Sequence, residues 1–301
     1  MTLSIPNIPI VEIPLQEGIK LFIKREDLVH PTISGNKYWK LFYNIKHYQS
    51  LHKENPLLIT FGGAYSNHIA ATASLGYEEK IPTIGIIRGE ELKDKWHENP
   101  TLVWAKNKGM ELRFVTRNAY KDKEKISNQL ENEFQNALII PEGGTNSLAV
   151  KGIQYMLNDE TKNFDYLCTA VGTGGTIAGI RKYAEKNQKV IGFKAVEDPF
   201  LKENIIQLSG NNDFELIDAH LGRYGIINED LVRFINDFYT KYKIPLDPIY
   251  TGKMMKKIFE LIATGYFPKN SKILAFHTGG LQGIKGANEM LKKQNKLTIN
   301  F

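Results

Sequence analysis

Short apolar runs recur along this chain, and each is followed by Gly or Ser and then by a helix-like stretch. The clearest runs cover residues 57–61, 83–87, 112–116, 138–140, 166–171, 190–196 and 273–277. Strands of a parallel sheet are buried on both faces and therefore read as continuous apolar runs, while the helices between them cover those faces. The pattern predicts an α/β fold with two open, twisted, mostly parallel sheets and helices on both faces.

The runs fall into two sets, as expected for a chain of 301 residues at a prior of ~150 residues per domain. The first set of alternating strands and helices occupies 43–150, and the second follows it. Residues 21–24 also read as a strand, and residues 36–48 read as a helix with an apolar stripe. This N-terminal piece need not belong to the first set.

The composition limits the environment and the partners. Cys168 is the only cysteine, so an intramolecular disulfide and a cysteine-based metal site are excluded, and a reducing compartment fits. No apolar run approaches the ~18 to 20 residues that would span a bilayer, and the N-terminus lacks a signal-peptide pattern. The lysines behind the net charge of +6 are spread out rather than gathered with aromatic residues. We expect a cytoplasmic protein that binds no membrane and no nucleic acid, and no metal because no histidine pair has ligand spacing.

Gly-rich or small polar loops follow several strands, at the edge where open α/β sheets bind ligands. They are Ser34–Lys37, Gly62–His68, Glu142–Ser147, Gly172–Thr176 and Thr278–Gly280. The loop Gly172–Thr176 lies between a strand and a helix start, where free backbone N–H groups and the positive helix end favour an anion. It is a candidate phosphate site.

Other interpretations of this loop fit less well. A nucleotide P-loop would close on Gly-Lys-Ser or Gly-Lys-Thr, which is absent, and a dinucleotide fingerprint would place a third Gly where Ile177 stands. Glu197 ends the next strand and could imitate the ribose-binding acid of a nicotinamide site, so that alternative stays open. A tight turn that binds nothing is the other alternative.

Lys37 is the candidate nucleophile. It follows Ser-Gly-Asn in the first turn of the predicted helix, where the macrodipole disfavours a cation by ~0.3 to 1 kcal/mol and lowers its pKa. Lys40 lies on the same helix face, and a second cation and burial would each lower the pKa of Lys37 further. A neutral amine can form an imine with an aldehyde cofactor. The alternative for Lys37 by itself is a solvated surface lysine.

A resemblance to a known family rests on motifs that occur in order between about residues 21 and 283. They are Lys24-Arg25-Glu26-Asp27-Leu28, Ser34-Gly35-Asn36-Lys37, Ser66-Asn67-His68, Glu142-Gly143-Gly144-Thr145-Asn146 and Gly172-Thr173-Gly174-Gly175-Thr176. The chain resembles the D-cysteine desulfhydrase and 1-aminocyclopropane-1-carboxylate deaminase family of pyridoxal-phosphate enzymes. The resemblance implies pyridoxal-phosphate fold type II, the tryptophan-synthase-β type, with the cofactor in a cleft between domains. It also implies a large domain of residues 1–42 and 151–301 with residues 43–150 inserted as a small domain, and a homodimer.

The resemblance assigns roles in binding the cofactor. Lys37 is the Schiff-base lysine for pyridoxal 5'-phosphate, and Lys40 is a second phosphate ligand. The phosphate loop consists of Gly172, Thr173, Gly174, Gly175 and Thr176. Asn67 would bond the phenolic oxygen of the cofactor.

Further roles concern the substrate, a small amino acid. Ser66, Asn67 and His68 open a helix after a strand, so their N–H groups and the Ser66 hydroxyl would bind the substrate carboxylate. Ser66 is also a catalytic candidate, and its alternative role is a simple helix N-cap. Tyr250 and Tyr224 match tyrosines that face the cofactor and could relay a proton, although each could instead be a partly buried aromatic with a satisfied hydroxyl. His68 also has a purely structural alternative, as does His277.

Two positions separate the branches of the family. The residue after the active-site tyrosine partners the pyridine nitrogen of the cofactor; it is Thr251 here, where the deaminase branch carries Glu. Thr278 stands where that branch carries Leu. A hydroxyl leaves the pyridine nitrogen largely neutral and the electron sink weaker, which suits a good β-leaving group such as a thiolate. The resemblance therefore implies β-elimination from a D-amino acid, with D-cysteine as the expected substrate. Lys37 is the expected α-proton base, and Ser66 or Tyr250 could assist.

Several alternatives remain at this point. Within the enzyme class they are ring opening of 1-aminocyclopropane-1-carboxylate and, after it, cysteine synthesis by β-replacement. Nicotinamide-dependent oxidoreduction is a different chemistry, and a non-catalytic cofactor-binding protein would keep the same loops.

Overall fold

The computed structural model describes residues 5–15, 18–222 and 225–301. The strands are β1 (Ile10–Ile13), β2 (Lys20–Lys24), β3 (Leu57–Gly62), β4 (Thr83–Arg88), β5 (Glu111–Val115), β6 (Ala137–Ile140), β7 (Tyr166–Val171), β8 (Lys189–Lys194), β9 (Glu215–Asp218) and β10 (Lys272–Phe276). The helices are α1 (Asn36–Ser50), α2 (Asn67–Glu79), α3 (Pro100–Asn107), α4 (Lys123–Glu133), α5 (Ser147–Ile153), α6 (Gly175–Tyr183), α7 (Leu201–Ser209), α8 (Glu229–Tyr242), α9 (Thr251–Ala263) and α10 (Gly283–Lys293). Within the described residues, no helix is both long and apolar enough to cross a bilayer.

The strands form two separate sheets. The larger has the order β1-β2-β10-β7-β8-β9 and is parallel except for β1, which pairs antiparallel with β2 at the edge. The smaller has the order β5-β4-β3-β6 and is parallel throughout. Two open, mostly parallel sheets were predicted from the apolar runs, and this fold class is confirmed.

Each sheet is covered by helices on both faces, which is why its strands are apolar along their whole length. In β7, Leu167 packs into the hydrophobic cluster on one face and Cys168 into the cluster on the other. In the smaller sheet, Ile86 and Ile87 divide between two clusters in the same way. Because side chains alternate between the faces of a strand, an uninterrupted apolar run is what burial on both faces requires.

Two strands were not predicted. β1 and β9 lie at the two edges of the larger sheet and are only partly buried. β9, Glu215–Asp218, begins and ends with an exposed carboxylate, so it lacks the apolar run by which the inner strands were recognised. An edge strand pairs with only one neighbouring strand, so it can be short and exposed at its ends and needs no long apolar run.

The division of the chain into domains stays a prediction. β3, β4, β5 and β6 form one sheet, and the segments before and after them supply the other. α1 runs unbroken across the predicted boundary at residue 42, and α5 runs across the one at residue 150. These two helices touch closely, since a Cβ on Gly152 of α5 would overlap the carbonyl oxygen of Trp39 in α1.

Candidate active site

Lys37 lies in the first turn of α1, as the sequence predicted. Gly35 precedes this helix with φ +62°, and a Cβ there would overlap the carbonyl oxygen of Thr278, which follows β10. Only glycine fits both this backbone conformation and this close approach. The start of α1 is thereby held against the carboxyl end of the larger sheet, and Lys37 with it.

The Lys37 amine has a lowered pKa. Burial lowers the pKa to about 8, and the charge of Asp247 acts in the opposite direction. The direction agrees with the expectation, although burial rather than Lys40 is the main cause. The Nζ atom lies 3.3 Å from Asn36 Oδ1 and donates a long hydrogen bond to it. About a tenth of such amines are neutral at pH 7, far more than for an ordinary lysine.

Lys40 is buried one turn further along the same face of α1. Its amine donates to the carbonyl oxygen of Gly143 and to Thr145 Oγ1, each at 3.0 Å. Burial, and then the charge of Lys37, lowers the pKa of Lys40 well below its usual value. Within the residues that the structure describes, Lys40 has no acidic partner, so an anion that reached it would be favoured.

The Gly172–Thr176 loop brings a helix N-terminus to Lys40. Gly174 has φ +84° and turns the chain from β7 into α6. A Cβ on Gly175 would lie 2.8 Å from Thr145 Oγ1 and 3.1 Å from Lys40 Nζ, so a side chain would fill the space between the loop and the amine. A cradle of backbone N–H groups beside a lysine amine is suited to a phosphate.

Distant loops are joined around this cradle. Asn36 Nδ2 donates to Thr176 Oγ1 at 2.7 Å, which joins the start of α1 to the start of α6. The hydroxyls of Thr145 and Thr173 are 2.5 Å apart. The structure therefore brings together the Ser34–Lys37, Glu142–Ser147 and Gly172–Thr176 loops that the sequence singled out.

The Ser66–His68 segment opens α2. Ser66 is the N-cap of this helix, and its Oγ accepts from the backbone N–H of Ile69 at 3.3 Å. Asn67 Oδ1 accepts from Gln282 Nε2 at 2.6 Å, and a Cβ on Gly280 would lie 2.8 Å from Asn67 Nδ2. Ser66 is thus a helix cap in this structure, and its substrate and catalytic roles stay predictions.

His68 is buried without a hydrogen-bond partner on either ring nitrogen among the described residues. Burial lowers its pKa well below the usual value, and the charges of Lys37 and then Lys40 lower it further. The ring lies against Gly144, since a Cβ there would come within 2.9 Å of His68 Cε1. A buried polar group that lacks a partner costs stability, so its presence here fits a ligand site.

His277 contrasts with His68. Its Nε2 lies 2.6 Å from the carbonyl oxygen of Pro245, and its Nδ1 accepts from the backbone N–H of Gly279. These contacts favour the structural alternative for His277, because both ring nitrogens are used in holding the loop after β10.

Tyr250 and Thr251 lie at the start of α9. A Cβ on Gly172 would come within 3.1 Å of Tyr250 Cε1, so the tyrosine ring lies against the phosphate loop. Thr251 is fully buried, and its hydroxyl donates to Asp247 Oδ2 at 2.7 Å. Tyr224 lies outside the described residues.

Asp247 is a site residue that the sequence reasoning missed. Its carboxylate accepts the backbone N–H groups of Tyr250 and Thr251, each at 2.8 Å, and its charge acts on Lys37. An Asp placed shortly before a helix start is a capping signal that could have located it. Its position beside the lysine depends on tertiary structure.

A partly buried lysine with a lowered pKa, in the turn joined to a glycine-rich loop that suits an anion, is the arrangement expected of an enzyme that holds a phosphorylated cofactor through an amine. Comparison with known proteins agrees. The chain belongs to the PALP family of pyridoxal-phosphate-dependent enzymes, whose profile matches residues 1–279. The expected family and cofactor are confirmed.

Two named relatives and one crystal structure are similar to this chain over most of its length. A putative 1-aminocyclopropane-1-carboxylate deaminase of Pyrococcus horikoshii is 30% identical over 88% of this chain and 86% of its own length. A bifunctional D-cysteine desulfhydrase/1-aminocyclopropane-1-carboxylate deaminase of Arabidopsis thaliana, described as mitochondrial, is 30% identical over 90% of this chain and 74% of its own length. The crystal structure of an ACC deaminase homologue superposes with a TM-score of 0.81 and 28% identity, covering 96% of this chain and 94% of that one.

The residues present fit pyridoxal phosphate. A phosphate would suit the Gly172–Thr176 loop, where Lys40 would supply a cation and Gly175 leaves the space open. Lys37 would supply the amine for the aldehyde, and the His68 nitrogens, which have no partner in the described part of the chain, leave hydrogen-bonding capacity nearby. The roles of the individual residues remain predictions.

Proposed function

We propose that this protein is a lyase that catalyses β-elimination from a D-amino acid and converts D-cysteine to pyruvate, sulfide and ammonia. Bound pyridoxal phosphate supplies the electron sink for the α-carbon. The observation that supports the proposal most is the Lys37 amine, whose pKa is about 8 and which lies in the turn tied to the phosphate cradle. Water is the co-reactant that releases the keto acid and ammonia.

Each role is proposed for a residue of this chain. Lys37 is the base that removes the α-proton, because its lowered pKa leaves part of it neutral near pH 7. The start of α2, at Ser66–His68, binds the substrate carboxylate through free N–H groups. Tyr250 holds or passes a proton, a role supported by the contact of its ring with the phosphate loop.

Thr251 supports elimination over ring opening. This position carries a hydroxyl rather than an acid, and that hydroxyl already donates its one proton to Asp247 Oδ2. The Asp247 carboxylate is itself occupied by backbone N–H groups at the start of α9. A pyridine nitrogen facing Thr251 would therefore receive no proton from this residue. The electron sink would be weaker, and the substrate would need a good β-leaving group.

Ring opening of 1-aminocyclopropane-1-carboxylate to 2-oxobutanoate and ammonia is the second candidate. It is supported by the names of the Pyrococcus relative and of the homologous crystal structure, and by the plant relative whose name includes both activities. The same amine and the same cradle would serve this reaction.

The test is keto acid formation from D-cysteine, L-cysteine and 1-aminocyclopropane-1-carboxylate by the pure enzyme with its cofactor. We expect pyruvate from D-cysteine to form fastest, and Lys37→Ala to abolish it, with Lys256→Ala as the matched control on the surface. Faster release of 2-oxobutanoate would select the deaminase. Activity that survives in Lys37→Ala would refute the proposed base.

We also propose a cytoplasmic homodimer whose cofactor lies in a cleft between residues 43–150 and the rest of the chain. The single, buried Cys168 supports a reducing compartment. The cleft is supported by a site drawn from both segments, with Lys37 and Gly172–Thr176 on one side and Ser66–His68 on the other. The homodimer is proposed from the family resemblance. Light scattering tests the dimer, and cell fractionation tests the location.

A further inference from the structure

Arg88 is a cation at the edge of the site to which no role has been given. It is the last residue of β4, adjacent in the sheet to the end of β3. Its guanidinium reaches the loop that leads from β3 into α2, because a Cβ on Gly63 would lie 3.3 Å from Arg88 Nη2. Ser66 belongs to the same loop, and its backbone N–H donates to the carbonyl oxygen of Gly63 at 3.1 Å.

The guanidinium is held in place by an aromatic ring rather than by an acid. Arg88 Cζ lies 5.6 Å from the centre of the Tyr120 ring, and the tyrosine is buried. Glu142, whose charge acts on Tyr120, forms its ion pair with Lys123 at 3.2 Å. Over residues 5–15, 18–222 and 225–301, no carboxylate lies within ion-pair distance of Arg88.

A half-buried arginine without an acidic partner is suited to bind a ligand anion. Its planar fork matches a carboxylate, sulfonate or phosphate, and the ring beneath it restricts its conformations before binding. The nearby N-terminus of α2 favours one anion, and the unpartnered nitrogens of His68 lie in the same helix turn. The α-carboxylate of an amino acid would take that first position, which leaves Arg88 for a second negative charge.

We propose that Arg88 determines substrate specificity by binding a negative charge on the β-substituent of the amino acid. This inference rests on the proposed function and extends it to a class of substrates, the amino acids with an anionic β-group. The thiol of cysteine, which ionises near pH ~8.5, can present such a charge, whereas the hydroxyl of serine cannot. Arg88 thus favours D-cysteine over D-serine.

The test compares ligands of the same shape and different charge. D-Aspartate and D-asparagine are titrated into the enzyme with its cofactor by isothermal calorimetry, for the wild type and for Arg88→Gln. We expect the wild type to bind D-aspartate about tenfold more tightly, the factor that corresponds to ~1.4 kcal/mol for one partly exposed charged contact. In Arg88→Gln we expect the affinities for D-aspartate and D-asparagine to become equal. The affinity for D-asparagine should change by a smaller factor than the ratio of the two affinities does.

Two further variants separate recognition from stability. Arg88→Lys retains the charge and should keep part of the preference. Tyr120→Phe retains the ring beneath the guanidinium and should keep all of it, because Arg88 lies over the ring and the substitution removes only the hydroxyl. A lower melting temperature for Arg88→Gln with an unchanged ratio would show that Arg88 only packs on Tyr120, and would overturn the inference.

Failure of this inference can be told apart from failure of the proposed function. Absence of pyruvate from D-cysteine in the wild type defeats the function, whereas the binding comparison needs no turnover. The same titrations with L-aspartate and L-asparagine cover the opposite stereochemistry. Equal affinity of acid and amide in both series would refute the role of Arg88.

Discussion

Replacing Lys37 with Met should make the protein without its cofactor more stable near neutral pH, even though it removes the residue on which activity depends. The folded pKa is about 8, against 10.5 for an ordinary lysine, so below pH 8 folding must remove a charged amine from much of its water. At 1.36 kcal/mol per pKa unit, this opposes folding by about 3 kcal/mol. Methionine fills a similar volume without the charge.

The sign follows from proton linkage. Between about pH 8 and 10.5 the unfolded chain binds a proton at Lys37 that the folded chain does not, so the stability of the wild type rises with pH across this window. The variant lacks this rise. We therefore expect Lys37→Met to be more stable by up to about 3 kcal/mol at pH 7, with the advantage disappearing as the pH approaches 10.5.

Urea unfolding of the protein without cofactor, at a series of pH values, measures this difference. Lys256→Met is the matched control, because hydrogen bonds from the Lys256 amine to Glu260 and Asp230 raise its pKa, so its removal should not stabilise the fold. A Lys37→Met difference that is independent of pH between 7 and 10.5 would refute the reasoning that the Lys37 amine has a low pKa in the folded protein.

Three further predictions concern the loops around Lys37. Lys40→Met should weaken pyridoxal phosphate binding at least tenfold, because one charge-assisted hydrogen bond contributes ~1.5–3 kcal/mol. Fluorescence titration of the protein without cofactor measures this affinity. An unchanged affinity would exclude Lys40 as a phosphate ligand. Gly35→Ala should lower the free energy of unfolding more than Gly265→Ala does. Both glycines have positive φ, so Gly265→Ala costs ~1–2 kcal/mol for the backbone conformation alone, but only a Cβ on Gly35 would also overlap the Thr278 carbonyl. Equal losses of stability in urea unfolding would contradict this close approach. Asp247→Asn should lower the pKa of Lys37 below about 8, because the carboxylate charge that raises this pKa is removed. The pH dependence of the rate at which the protein binds pyridoxal phosphate reports the pKa of Lys37. An unshifted pH profile would show that Asp247 does not act on Lys37.

The inner strands and the loops that follow them could be predicted from sequence because their signals are local. An apolar run such as Tyr166–Val171, ending in Gly-Thr-Gly-Gly, carries within itself both the strand and the anion loop. The family also followed from motifs in fixed order, and the comparisons confirmed it. The edge strand Glu215–Asp218 was not predicted, because both of its end residues are exposed and only two apolar residues lie between them.

The electrostatics of the site depended on contacts between distant parts of the chain. Nothing near Lys37 in sequence indicates that Asp247 is the carboxylate that acts on it, or that Lys40 reaches Gly143 and Thr145. The same holds for Arg88, which in sequence is only the last residue of an apolar strand. The structure alone shows that it lies over the Tyr120 ring and has no acid nearby in the described chain.

The amino-acid sequence by itself thus determined which segments form strands and helices and which loops carry backbone N–H groups and an amine, because backbone and side-chain patterns act over a few residues. Tertiary structure alone decided which groups are buried together and which charges lack a partner. The physical reason is that desolvation and Coulomb energies depend on distance in space, which the crossings of a parallel sheet set independently of separation along the chain.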